Sequence, residues 1–187
     1  MKGFTREHTE FSLCGLNCLL CPMQVGGYCP GCGGGPGNQS CTIARCSLDN
    51  GGYTFCSQCP TYPCARYDGF DTADSFVPHS RRAADLARAK KLGLDAYIDE
   101  LRAKRAIPDK LLANYNDGRR KTFYCAAVYL LPLQDLKNVV AKLEDQPECS
   151  VKERAAATVK LLQGAADGLP RQFRKRDWKV LIVAVYL

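Results

Sequence analysis

The sequence predicts a mostly α protein: a helical domain preceded by an irregular, metal-organised, cysteine-rich N-terminal module. Three observations lead there. Of twelve cysteines in 187 residues, ten lie between Cys14 and Cys64, leaving only Cys125 and Cys149 beyond them. That stretch is rich in Gly and Pro, as in CPGCGGGPGN, and shows no helical or strand periodicity over a useful length. From about Ser80 onward, Ala, Leu and Lys recur at helical spacing. A length of 187 residues suits one medium domain or a small one joined to a larger, since domains run to roughly 100–200 residues.

The division read from these patterns is a cysteine module over 1–66, a linker over 67–79, a helical domain over 80–178 and a strand-like tail over 179–187. Asp68, Asp71 and Asp74 fall in the acidic, aromatic linker. Ser80 is placed to cap a first helix that Gly93 stops. A second helix follows from Asp95, with Tyr97, Ile98 and Leu101 on one face. A third starts near Pro108, whose ring suits a first helical turn, and ends by Gly118. Phe123–Leu131 and Leu133–Leu143 read as apolar-faced helices on either side of Pro132. Ser150-Val-Lys-Glu153 is a capping box that opens a helix at Val151. The closing KVLIVAVYL is β-branched and aromatic, which favours a strand.

The start of the chain, MKGFTREHTEFS, lacks the basic, apolar and small-residue succession of an export signal. The apolar runs Phe123–Leu131 and Val180–Leu187 fall short of the roughly 20 residues a membrane helix needs. A cytoplasmic, reduced protein without a membrane span is therefore expected, and reduced thiols in such numbers point to metal rather than disulfides. The formal charge of +7 suggests nucleic acid. Yet Met1–Cys64 balances Lys2, Arg6 and Arg45 against Glu7, Glu10 and Asp49, so the excess lies later. Two sites that each hold a divalent ion by four thiolates would lower the total to about +3 (7 − 4).

The metal-binding candidates are Cys14, Cys18, Cys21, Cys29, Cys32, Cys41, Cys46, Cys56, Cys59 and Cys64. Cys18/Cys21, Cys29/Cys32 and Cys56/Cys59 have the two-residue spacer that lets a tight turn present two sulfurs to one ion, and two such pairs make a tetrahedral site. Free thiols packing as small hydrophobes would leave this Gly- and Pro-rich segment with little to hold it. One grouping joins Cys29 and Cys32 with Cys41 and Cys46, and Cys18 and Cys21 with Cys56 and Cys59. Cys14 and Cys64 then remain, to share in a bridged cluster or stay free. Zinc, about two ions, is the expected metal. An iron–sulfur cluster in electron transfer or cluster handling is the alternative, because CGLNCLLCP is compact and carries a proline after a ligand cysteine. The same nonapeptide has the cysteine spacing of radical S-adenosylmethionine enzymes, but the alternating strands and helices those require do not follow it.

CGLNCLLCP, CPGC, Cys41, Cys46, CSQCPTYPC and the distant NYNDGRRKTFYCAAVYLLPL together resemble the cysteine-rich family catalogued as domain of unknown function 3795, from Cys14 to about Gln163. The resemblance implies metal binding through these cysteines and supplies no reaction.

Arg119, Arg120 and Lys121 stand at the start of an apolar helix, where cations and exposed amides favour an anion; solvated basic residues after a stop at Gly118 are the plainer reading. Cys125 sits among apolar neighbours and reads as buried, and Cys149 as a loop thiol. The only histidines, His8 and His79, have no spaced partner and read as solvated surface residues. No catalytic constellation is recognisable. The basic, aromatic RQFRKRDWK at Arg171–Lys179 admits nucleic-acid binding, but a protein partner for a metal-fixed interaction or adaptor module is the favoured reading.

Overall fold

The computed structural model describes residues 3–38, 41–72 and 74–166, and among them the chain is mostly helical with no strand. The helices are α1 (Pro22–Val25), α2 (Thr42–Asp49), α3 (Arg82–Leu92), α4 (Leu94–Asn114), α5 (Lys121–Leu130), α6 (Leu133–Glu144) and α7 (Val151–Ala165). The cysteine-rich region is irregular, carrying single 3-10 turns at Cys18–Leu20, Cys56–Gln58 and Ala65–Tyr67. The strand-like tail over 179–187 and the basic Arg171–Lys179 stretch lie outside the described residues.

Two compact units divide between Leu101 and Arg102. The boundary thus lies well beyond the linker placed over 67–79, and the first unit takes in α3 and the start of α4. The reason is apolar. Tyr67, Val77 and His79 are buried, so the stretch after the last array cysteine is packed rather than extended. Tyr62, Tyr67, Phe70 and His79 form a chain of ring contacts with centroids 4.6–5.5 Å apart. The Arg82 guanidinium lies over Tyr67 at 4.1 Å and over Phe70 at 5.0 Å. It is paired with Asp71 through Nε at 2.7 Å and Nη2 at 3.0 Å. A buried cation is tolerated only when paired and hydrogen-bonded, and Asp71 meets that need.

His79 is correspondingly not a solvated residue. Its Nδ1 contacts the Phe70 carbonyl and its Nε2 the Ser75 hydroxyl, both at 2.9 Å, while its backbone N–H donates to Asp74 Oδ1. Because the His79 carbonyl accepts from Arg82 N at 3.0 Å, the chain enters α3 through this turn with Arg81 at the N-cap, and Ser80 makes no cap. The residues from Cys14 to Cys64 also hold a helix that their composition hides. α2 buries Ile43, Ala44 and Ser47 on one face, against a cluster that includes Phe4, Leu13, Cys14 and Tyr67.

In the second unit α4 runs through Pro108 rather than starting there. Ile107 and Leu111 are buried on either side of it, and packing of this face outweighs the lost amide donor. α5 buries every residue from Tyr124 to Leu130, Cys125 included, which accounts for its continuous apolar run. Lys104 Nζ donates to the Leu131 carbonyl at 2.8 Å. α6 buries Leu136, Val139 and Leu143, and α7 buries Ala155, Thr158 and Leu162. The capping box at Ser150 is formed in full, with the Ser150 hydroxyl accepting from Glu153 N and the Glu153 carboxylate accepting from Ser150 N at 2.9 Å.

Candidate metal centre

The local turns come first, because they decide where the sulfurs go. Cys18-Leu-Leu-Cys21 and Cys56-Ser-Gln-Cys59 fold identically: each is a single 3-10 turn in which the second cysteine's N–H donates to the first one's carbonyl at 3.0 Å. Cys21 leaves its turn at φ −72°, ψ 133° and Cys59 at φ −72°, ψ 134°. The third pair, Cys29-Pro-Gly-Cys32, turns through Gly31 at φ +92°, where an added Cβ would fall 2.3 Å from the Thr9 carbonyl oxygen. Only glycine fits a left-handed conformation pressed this closely on backbone. Gly15, between Cys14 and Cys18, is held likewise at φ +96°, with the Arg82 carbonyl oxygen 2.6 Å from where a Cβ would stand.

A buried polar set anchors the first of these turns. Asn17 Nδ2 donates to Asp85 Oδ2 at 3.1 Å, and the Tyr97 hydroxyl donates to Asn17 Oδ1 at 3.0 Å. All three residues are buried, so α3 and the start of α4 grip the Cys14–Cys21 loop through one amide side chain.

The thiols fall into two adjoining neighbourhoods, and Cys14, Cys32, Cys56 and Cys64 all belong to or pack on one apolar cluster with Leu13, Ile43 and Tyr67. Cys14 feels the charges of Cys32 and Cys41, Cys18 those of Cys32, Cys14 and Cys21, and Cys21 that of Cys29. Cys32 in turn feels Cys41. Cys56 feels Cys64, Cys46 and Cys59, and these four line one cavity of about 80 Å³ beside Tyr62 and Tyr67. Cys46 thus lines one cavity with Cys56, Cys59 and Cys64, a set that the grouping drawn from spacing did not join.

Burial pushes the Cys14 thiol up to about 12, and burial is likewise the chief cause that raises Cys18, Cys21, Cys32 and Cys56. Cys59 moves the other way: its sulfur is 3.2 Å from the Thr61 hydroxyl, and that contact and the Thr61 amide favour the thiolate. All twelve cysteines are free of disulfides. Among the described residues, no three His, Cys, Asp or Glu side chains converge closely enough to enclose an ion as they stand.

Two buried donors bear on whether the thiols suit a metal. Among the described residues, Arg6 Nε and Tyr67 Oη are buried with no hydrogen-bond partner of strict geometry. Each belongs to a residue beside one thiol neighbourhood. The Arg6 guanidinium opposes the effect of burial on Cys32, and the Tyr67 hydroxyl does so on Cys56. Arg6 is fixed by donating Nη1 to the His8 and Phe11 carbonyls and Nη2 to the Thr54 carbonyl, at 2.8–2.9 Å. A thiol is a poor acceptor and a metal-bound thiolate a good one, so the residues present fit a metal held by sulfur. Spacing arguments pass over Arg6, Tyr67, Asn17 and Asp85. The aromatic run after Cys64 is the one signal that could have flagged Tyr67.

Arg119 precedes α5, Arg120 is its N-cap and Lys121 its first residue, but the loop supplies an anion of its own there. Asp117 accepts from Arg119 N at 3.1 Å and pairs with Arg120 at 3.0–3.1 Å. Despite a desolvation cost, these donors hold its carboxyl below the usual carboxylate range. Cys149 is exposed, as a loop thiol should be. A cleft of about 720 Å³ in the first unit is bordered by Phe4, Phe11, Tyr53 and Phe55 with Glu7 and Lys90, and no cysteine lines it. No helix among the described residues is long and apolar enough to cross a membrane. Comparison with protein-family models, with curated proteins and with solved structures returns no match to this chain.

Proposed function

We propose that this chain is a cytoplasmic zinc protein whose ten N-terminal cysteines hold the metal, and that the metal fixes a loop-rich surface for a protein partner. The observation that carries the reading is the gathering of the thiols within the first unit, with Cys46, Cys56, Cys59 and Cys64 lining one cavity and with the side chains of Arg6 and Tyr67 placed to favour the thiolates of Cys32 and Cys56. The repeated Cys-x-x-Cys turn supports zinc, because sulfur pairs of this geometry suit closed tetrahedral sites, and such sites stabilise small Gly-rich folds rather than catalyse. The resemblance to family 3795 implies the same class of ligand. When bound, zinc would supply crosslinks between turns that otherwise meet at one small apolar cluster. Cys18, Cys21, Cys29, Cys32, Cys14 and Cys41 would hold it in one neighbourhood, and Cys46, Cys56, Cys59 and Cys64 in the other.

Thiol protection tests this. Protein purified under reducing conditions is treated with an alkylating reagent before and after a strong zinc chelator, and the modified cysteines are read by mass spectrometry. Cys149 should react at once, and the ten array cysteines only after chelation. Rapid alkylation of the array without chelator would overturn the proposal. Chelation-independent colour, with iron and sulfide present, would favour an iron–sulfur protein instead.

A further inference from the structure

The cleft of about 720 Å³ in the first unit has the size of a ligand site, and three segments wall it: residues 4–8, the stretch 47–58, and the end of α3 with Gly93 and Leu94. Arg6 ties the first two together, since its Nη2 donates to the Thr54 carbonyl at 2.9 Å and its guanidinium lies 5.1 Å from the Phe55 ring. Phe55 in turn meets Phe11 at 5.3 Å, so the floor is aromatic and packed. At the rim, Leu48 is 46% exposed and Tyr53 is half-buried. Two exposed charges of opposite sign border the same cleft, Glu7 from the first segment and Lys90 from α3. Among the described residues Lys90 makes no ion pair, and Glu7 pairs only with His8, at 3.9 Å.

This charge pattern selects the occupant. A nucleic acid or an anionic lipid surface answers Lys90 but is repelled by Glu7, and a purely apolar molecule engages neither. A peptide presents apolar, acidic and basic side chains within a few residues and matches all three features. We propose that the cleft docks an extended peptide segment of the partner, with apolar side chains against Leu48, Tyr53 and Phe55, an acidic residue at Lys90 and a basic one at Glu7. The proposal rests on the interaction module read above and names its surface. It also couples docking to metal, because the 47–58 wall follows directly on Cys46 and contains Cys56, and both of these line the four-cysteine cavity.

The test titrates full-length protein, its zinc content measured in the same sample, with the terminally blocked peptide Lys-Phe-Leu-Glu while backbone amide shifts are followed. Shifts should gather at Glu7, Leu48, Tyr53, Ser57 and Lys90, and Lys-Ser-Ser-Glu should produce none. Lys90 is exposed, so Lys90→Glu leaves the fold intact. That variant should bind Lys-Phe-Leu-Glu about two- to fivefold more weakly, the range of one exposed ion pair, and should prefer Lys-Phe-Leu-Lys to it. Chelation should abolish the response at Leu48, Tyr53 and Ser57. No response at the cleft, an equal response to the two wild-type probes, or an unchanged charge preference in Lys90→Glu would overturn the docking, and measured zinc would leave the metal function standing. Zinc-free protein that binds Lys-Phe-Leu-Glu as well as loaded protein does would overturn the coupling to metal.

Discussion

Single side chains set how well the thiols are prepared. Tyr67 offers a buried hydroxyl to Cys56, so Tyr67→Phe should weaken metal binding at the Cys46/Cys56/Cys59/Cys64 neighbourhood by about 10–100-fold, the usual consequence of removing a donor to a metal ligand. Competition against a chromophoric chelator measures it, and affinity at the six-thiol neighbourhood should not move. Asn17 acts differently, since it bonds Asp85 and Tyr97 rather than any sulfur. Asn17→Leu strips a partner from two buried polar groups and should cost about 1–3 kcal/mol in denaturant unfolding of the metal-loaded protein. None of these partners could be read from spacing. Cysteine intervals name the ligand types, but Asn17 meets Tyr97 across eighty residues, and only folding brings them together.

At the level of elements, α7 owes its start to one motif. Ser150→Ala removes a formed N-cap and should destabilise the second unit by about 1 kcal/mol, as read by the thermal midpoint. The Ser150 hydroxyl and amide both donate to Glu153 and hold its carboxyl below the ordinary value. A depressed folded pKa contributes stability above the unfolded pKa and loses it as pH falls through the folded one. Acidification below the glutamate range should therefore narrow the gap between wild type and Ser150→Ala. This helix was legible in the sequence because its signal is local. The same holds for α5 and α6, whose apolar faces and the intervening Pro132 are consecutive in the chain. α2 was hidden because its two turns follow Cys41, contain Cys46 and are flanked by glycine-rich segments. The helix start assigned to Pro108 was misplaced because packing of Ile107 and Leu111 overrides the local preference of proline.

For the molecule as a whole, the two units should respond differently to metal loss. The first relies on turns such as Gly15 and Gly31 and on two thiol neighbourhoods, while the second buries a continuous apolar core from α5, α6 and α7. Chelation should thus open the region from Cys14 to Cys64 to proteases while most of the far-ultraviolet helical signal persists. Cleavage confined to the second unit would be the opposite of what this fold implies. The mostly α class and the irregular backbone of the cysteine-rich stretch were readable from composition and periodicity. The boundary at Leu101/Arg102 was not, because it depends on Tyr67, Phe70, His79 and Arg82 stacking into one core. The central claim, that sulfur-bound zinc organises the first unit, is tested most directly by elemental analysis with a sulfide assay on protein purified without air. The account predicts zinc, about two ions per chain, with no iron or labile sulfide. Metal-free protein with a folded first unit, or iron with stoichiometric sulfide, would contradict it.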